Sequence, residues 1–162
     1  MKILYLEDNP NDALLTQRAL SKATPAIGVD VVHSLRDAYK QLENPPTKYD
    51  LVLSDLNLPD GSGFNLLHHI RSKNYPYAVV VVTGQSDEDI AIAALKAGAD
   101  DYIAKREDYL NRLPATLVSA LDRHHAEIDL HSRALRVLYA EGDEQDSELT
   151  SEHITNHAPH IR

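Results

Sequence analysis

The stretch that most restricts the fold is Ala78-Val79-Val80-Val81-Val82, five consecutive apolar residues of which four are valine. A strand with one wet face alternates polar and apolar residues, so an unbroken β-branched run predicts a strand buried on both faces. Such burial calls for a parallel sheet with helices packed on either side. The remaining pattern agrees. Ile3 to Leu6 is a short apolar run that stops at Glu7-Asp8-Asn9-Pro10, where Asn9 suits a helix cap and Pro10 the first turn. The helix is expected to reach about Ala23, with Leu15 and Ala19 on its buried face. Val29 to His33 alternates as a strand, and Ser34 to Leu42 reads as a helix ended by Asn44-Pro45-Pro46. Leu51 to Asp55 is a third apolar strand, followed by a Pro59-Asp60-Gly61 turn and a helix through Phe64, Leu66, Leu67 and Ile70. After the valine run, Ser86-Asp87-Glu88-Asp89 offers a cap for a helix through Ile90, Ala94 and Leu95 that Gly98 closes. Asp101 to Ala104 is the last strand. Strand and helix alternate five times with short links, which predicts an α/β doubly wound sheet.

In sheets of this kind ligands bind at the carboxyl ends of the strands. The sequence brings Glu7 and Asp8, Asp55, Thr83 and Lys105 to those ends, from four different strands. Three carboxylates within several ångströms repel by roughly a few kcal/mol per pair at an effective dielectric near 20, so the cluster needs protons or a cation. Hard oxygen donors with room for water suit Mg²⁺. The Lys105 ammonium can pair with Asp55 or with a phosphoryl group, and the Thr83 hydroxyl can donate to a phosphoryl oxygen. These are the parts needed to transfer a phosphoryl group to a carboxylate. Singly, each has a plainer reading: Glu7 and Asp8 complement a helix dipole, Thr83 caps a strand, Lys105 is a surface lysine and Tyr102 packs in the core. Convergence from four strands is what argues for a site.

Those four motifs, in that order, resemble a receiver domain of a bacterial two-component response regulator over residues 1–125. The resemblance implies a five-stranded parallel sheet of flavodoxin-like order 2-1-3-4-5, with Asp55 accepting a phosphoryl group from a histidine kinase or a histidine phosphotransfer protein. It implies Mg²⁺ held directly by Asp8 and Asp55, by Glu7 through water, and by the backbone carbonyl of Asn57. Thr83 and Lys105 would bind the phosphoryl oxygens, and Tyr102 takes the position of an aromatic switch that turns inward as Thr83 moves. Gly84 matches the position that leaves room for the donor, and Asn57 and Gln85 match positions that tune the lifetime of the phosphoryl group. The implied role is that of a signalling domain, not an enzyme. The alternative is a receiver-like interaction module that takes no phosphate. A phosphatase of the haloacid dehalogenase type also forms an aspartyl phosphate, but it wants a second acid two residues on, where this chain has Asn57. A flavin-binding module is disfavoured because Glu7-Asp8 would repel a phosphate at the first loop. One departure from the family is Arg106, where proline is usual. A non-proline cis bond costs about 2.5–4 kcal/mol, so either a trans bond with a shifted loop or a strained cis bond is expected after Lys105.

Composition narrows the setting. A net charge of −9 leaves no basic stripe for nucleic acid. No apolar run is long enough to cross a bilayer, and the absence of cysteine favours a cytoplasmic location. His68-His69 and His124-His125 are neighbours that point to different helix faces, so they predict surface residues and no metal site.

From Asp108 a single long helix is expected, striped by Leu110, Leu113, Leu117, Leu121, His124 and Ile128. Its far end suits either a homodimeric coiled coil or a solvent-exposed helical linker over 126–135. Beyond it, Leu138, Tyr139, Glu141, Asp146, Leu149 and Thr150 repeat Leu4, Tyr5, Glu7, Asp12, Leu15 and Thr16 at a constant offset of 134, while Gly142 stands where Asp8 does. Residues 136–162 therefore read as the truncated start of a second receiver in tandem.

Overall fold

The computed structural model describes residues 1–45, 48–84 and 88–132. The expected repeat over 136–162, Gln85, and the Ser86-Asp87 part of the cap lie outside the described residues. Residues Met1–His124 form one compact unit, and within His125–Arg162 only the last turns of the final helix are described.

The elements run β1 (Lys2–Leu6), α1 (Pro10–Ala23), β2 (Gly28–Val32), α2 (Leu35–Glu43), β3 (Leu51–Asp55), β4 (Asn57–Leu58), β5 (Gly61–Ser62), α3 (Gly63–Ser72), β6 (Ala78–Thr83), α4 (Glu88–Lys96), β7 (Asp101–Ala104) and α5 (Tyr109–Ser132). β2, β1, β3, β6 and β7 form one parallel sheet in that order. This is the flavodoxin-like 2-1-3-4-5 arrangement once the small β4–β5 ribbon is set aside. That antiparallel ribbon, pairing Asn57 with Ser62 and Leu58 with Gly61, is where the sequence suggested only a turn.

The valine run behaves as its composition requires: every residue of β6 is buried, as is every residue of β3. Alternate side chains of these strands enter two separate cores. Leu4, Leu6, Val52, Val79 and Val81 pack with α2, α3 and α4 through Leu35, Ala38, Leu66, Leu67, Ile70 and Ala94. Ile3, Tyr5, Leu51, Leu53, Val80 and Val82 pack with α1 and α5 through Ala13, Leu20, Leu113, Leu117 and Ala120. Each fully buried aliphatic side chain contributes about 1.5–3 kcal/mol, so the central strands anchor whatever their ends carry.

Two expectations about faces are corrected. α1 buries Ala13, Thr16 and Leu20, while Leu15 is exposed and Ala19 half-buried. The buried face is set by the 13-16-20 row, which lies on a different side of the helix from Leu15. His124 is buried, with Nδ1 2.8 Å from Asp100 Oδ1, because the Leu113–Leu117–Ala120 row of α5 continues through it onto the sheet. In the same stripe Ile128 is exposed.

The Asp100 carboxylate, itself nearly buried, is a hub at the amino end of the sheet. Its Oδ2 accepts from Arg71 Nη2 at 2.7 Å and from the Val79 backbone at 2.6 Å. Arg71 also donates to the carbonyls of Gly98 and Tyr77. Among the described residues no helix is long and apolar enough to cross a membrane.

Candidate functional site

The site is built by strand ends. The backbone N–H of Glu7, just past β1, continues the ladder by donating to Val32 O at 3.0 Å, which fixes where the two acids leave the sheet. Asn9 then caps α1, accepting from the Asn11 backbone at 2.9 Å, and Pro10 occupies the first turn. Glu7 turns inward and is 1% exposed, whereas Asp8 faces solvent. Both Glu7 oxygens accept hydrogen bonds: Oε1 from Asn9 N at 3.1 Å, and Oε2 from the Tyr5 hydroxyl at 2.9 Å and Lys105 Nζ at 2.6 Å. Burial raises the Tyr5 phenol well above its usual value, so it remains a donor.

Asp55 closes β3 opposite Val82 and is 7% exposed. Its Oδ1 accepts from the Asn57 backbone at 3.1 Å and its Oδ2 from Lys105 Nζ at 2.6 Å. The loop behind it is fixed by glycine. A Cβ on Gly63, the first residue of α3, would collide with the Asp55 carbonyl oxygen and lie 2.9 Å from Ser54 Oγ. The loop is pinned at its tip by Asp60, whose two oxygens accept from the Leu35 and Arg36 backbone at 3.0 and 3.1 Å, capping α2 from outside. Those bonds, Leu35's first, lower the Asp60 carboxyl below its usual range.

Thr83 ends β6 fully buried, and its carbonyl accepts from Lys105 N at 2.7 Å. That bond extends the β6–β7 ladder past Ala104 and aims the Lys105 side chain back across the sheet. No peptide bond among the described residues is cis. Of the two expectations at Arg106, the trans bond is the one found, and the chain turns there as Arg106 N donates to Ala104 O at 2.8 Å. Lys105 nonetheless reaches the acids. Burial alone would lower its ammonium, but the bonds to Asp55 and Glu7 reverse this and hold the group well above the ordinary lysine value. Burial raises the Glu7 carboxyl, with Lys105 acting in the opposite direction. Tyr102 is half-buried against the α2–α4 core, and Gly84 borders open space.

The structure thus brings Glu7, Asp8, Asp55 and Lys105 together, with Thr83 and Asn57 beside them. It adds Asp12 and Tyr5, which the sequence presents only as members of the repeat. Asp12 Oδ2 lies 3.1 Å from Lys105 Nζ, and Tyr5 supports Glu7. Asp12 falls in the first turn of α1, which puts it near the strand ends but does not reveal its partner.

One oxygen from each of Glu7, Asp8 and Asp55 lies within 4.8 Å of the others. At that separation a pair of charges repels by roughly 3 kcal/mol at an effective dielectric of 20. Among the described residues four carboxylates, counting Asp12, gather around one ammonium, so the site is short of positive charge. Its donors are all hard oxygens, and they fit a divalent cation such as Mg²⁺.

A model of the response regulator receiver domain matches residues 3–117 of this chain. The chain belongs to that family. It is 39% identical over 126 residues to the transcriptional regulatory protein BasR of Escherichia coli, covering 77% of this chain and 54% of that protein. It is 33% identical over 122 residues to the methanogenesis regulatory protein FilR1 of Methanothrix harundinacea, covering 75% and 27%. The chain therefore spans between about a quarter and a half of the length of these relatives. Among solved structures it resembles the phosphorylated cyanobacterial phytochrome response regulator RcpA, at 28% identity and a TM-score of 0.63, covering 78% of this chain and 94% of that one. It also resembles a CheY-like receiver domain protein from Methanospirillum hungatei, at 25% identity and a TM-score of 0.67, covering 78% and 97%. Receiver domains are signalling domains that bind Mg²⁺ at an acidic pocket and interact with histidine kinases or phosphotransfer proteins, and some dimerise.

Proposed function

We propose that residues 1–125 act as a phospho-receiver in which Asp55 accepts a phosphoryl group from a histidine kinase or a histidine phosphotransfer protein and passes the change on to an output. The observation that carries this is the Asp55 carboxylate, nearly buried at a strand end, with Lys105 Nζ at 2.6 Å and Glu7 and Asp8 alongside.

In the transfer, an Asp55 oxygen forms a bond to phosphorus as the donor's phosphorus–nitrogen bond breaks. The electron pair leaves with the imidazole nitrogen, which takes up a proton. Lys105 offsets the charge on the phosphoryl oxygens, and the Thr83 hydroxyl donates to one of them. Asp8 and Asp55 directly, Glu7 through water, and the Asn57 carbonyl would hold Mg²⁺. When bound, that ion neutralises charge shared by the carboxylates and the phosphoryl group. Thr83 moving toward the phosphoryl group draws Tyr102 inward, which makes these two the switch pair. The setting is cytoplasmic, and α5 supplies a face for a homodimer, since Ile128 of its stripe is exposed.

The test is incubation with acetyl phosphate and Mg²⁺ followed by intact mass measurement, for the parent and for Asp55→Asn. The parent gains one phosphoryl group and the variant none. A gain that survives the substitution refutes Asp55 as the acceptor, and no gain in the parent favours an interaction module that takes no phosphate.

A further inference from the structure

The Lys105 ammonium has three protons, and three carboxylates reach it: Asp55 Oδ2 and Glu7 Oε2, each at 2.6 Å, and Asp12 Oδ2 at 3.1 Å. The first two also belong to the group of acids able to hold a cation, and Asp55 is in addition the phosphoryl acceptor in the reading above. Asp12 has neither duty. Its side chain is 34% exposed, at the rim of the site, whereas that of Lys105 is 12% exposed. It is the third helical residue after the Asn9 cap, where the helix dipole favours a carboxylate. A charged group so placed can follow the ammonium outward when the inner acids let go of it.

A second observation comes from the sequence repeat. Tyr139, Glu141, Asp146 and Thr150 preserve Tyr5, Glu7, Asp12 and Thr16, although Gly142 replaces Asp8. Tyr5, Glu7 and Thr16 form one hydrogen-bonded group next to Lys105, with Tyr5 Oη 3.4 Å from Thr16 Oγ1. The repeat therefore keeps Asp12 together with the lysine's surroundings and not with the outer metal-binding acid.

We propose that Asp12 is a positioning residue for Lys105, the partner that retains the ammonium at the strand ends once a divalent cation and a phosphoryl group engage Glu7 and Asp55. This rests on the phospho-receiver reading, and its test separates the two. Exchange of the Lys105 ammonium protons with water is followed by ¹⁵N NMR in the parent, Asp12→Ala and Asp12→Glu, with and without Mg²⁺. For a partly exposed ion pair, exchange in the Mg²⁺-loaded Asp12→Ala protein should be about threefold faster than in the parent. Asp12→Glu should restore the slow rate, and the difference should shrink without Mg²⁺, where Glu7 and Asp55 still hold the group. The maximal rate of phosphorylation by acetyl phosphate at saturating Mg²⁺ should fall by a similar factor in Asp12→Ala. Equal exchange in the Mg²⁺-loaded parent and Asp12→Ala proteins overturns the proposal, as does an exchange rate in the parent that ignores Mg²⁺. A shift in the Mg²⁺ midpoint alone would make Asp12 a bulk charge and overturn it as well. If the parent takes no phosphoryl group, the receiver reading fails while the exchange comparison still decides the role of Asp12.

Discussion

Replacing Lys105 with methionine keeps most of the side-chain stem and removes the only cation found among Glu7, Asp12 and Asp55 in the described residues. Glu7 and Asp55 would then face each other almost without water, since their side chains are 1% and 9% exposed. Breaking a buried ion pair from one side costs about 3–5 kcal/mol because the remaining charge is left without a partner. At roughly 4 °C per kcal/mol for a unit of this size, the melting temperature should fall by about 12–20 °C. The pH dependence has a definite sign. The Glu7 carboxyl is already raised by burial, and losing Lys105 removes the group that pulls it down. A raised carboxyl stabilises the fold below its unfolded value, about 4.3, and that stability is lost as pH rises through the folded value. The gap between Lys105→Met and the parent should therefore be small near pH 4 and widen toward pH 7. Urea unfolding at both pH values, with and without Mg²⁺, measures it, and Mg²⁺ should recover much of the loss at pH 7 by supplying the missing positive charge. A variant within about 1 kcal/mol of the parent at pH 7 without metal, or a gap that closes as pH rises, would refute the claim that Lys105 neutralises buried acids.

Other perturbations read different parts of the fold. Asp100→Ala removes a nearly buried carboxylate bound by Arg71, His124 and the Val79 backbone, and should cost about 3–5 kcal/mol in urea unfolding, against about 1–2 kcal/mol for His124→Ala. Gly63→Ala drives a Cβ into the Asp55 carbonyl and should cost about 1–3 kcal/mol, with a displaced Asp55 amide resonance in NMR. Asp60 has a lowered carboxyl, so its capping of α2 is in force above the unfolded Asp value and lost as pH falls through the folded one. Melting curves of Asp60→Ala and the parent should accordingly separate at neutral pH and converge in acid.

Much of this could be read from the chain because burial writes itself into composition. The valine run of β6 and the apolar β3 admit no wet face, and the chain has few ways to cover both faces of two central strands. The carboxyl-end residues Glu7, Asp8, Asp55, Thr83 and Lys105 were then located by strand direction alone. Partners that lie across elements were less visible. Nothing local to Asp12 says that it meets a lysine 93 residues away, and nothing local to His124 says that it meets Asp100. The buried face of α1 is hard to see for a related reason: Leu15 is the larger hydrophobe, but the helix is oriented by the packing of Ala13, Thr16 and Leu20 on the sheet.

The two ends of the sheet divide the protein's charge unequally, and that division suits a switch. At the amino end the Asp100 carboxylate meets an arginine, a histidine and a backbone N–H, so its oxygens are occupied and the helices α3 and α5 are tied to the sheet. At the carboxyl end one ammonium serves three acids, with Asp8 exposed beside them. A saturated network resists rearrangement, whereas an under-neutralised one changes its geometry when positive charge arrives. Binding of a cation, or transfer of a phosphoryl group to Asp55, should consequently move Lys105 and the Thr83 end of β6 while the β1–β3–β6 core and its amino-end ties stay in place.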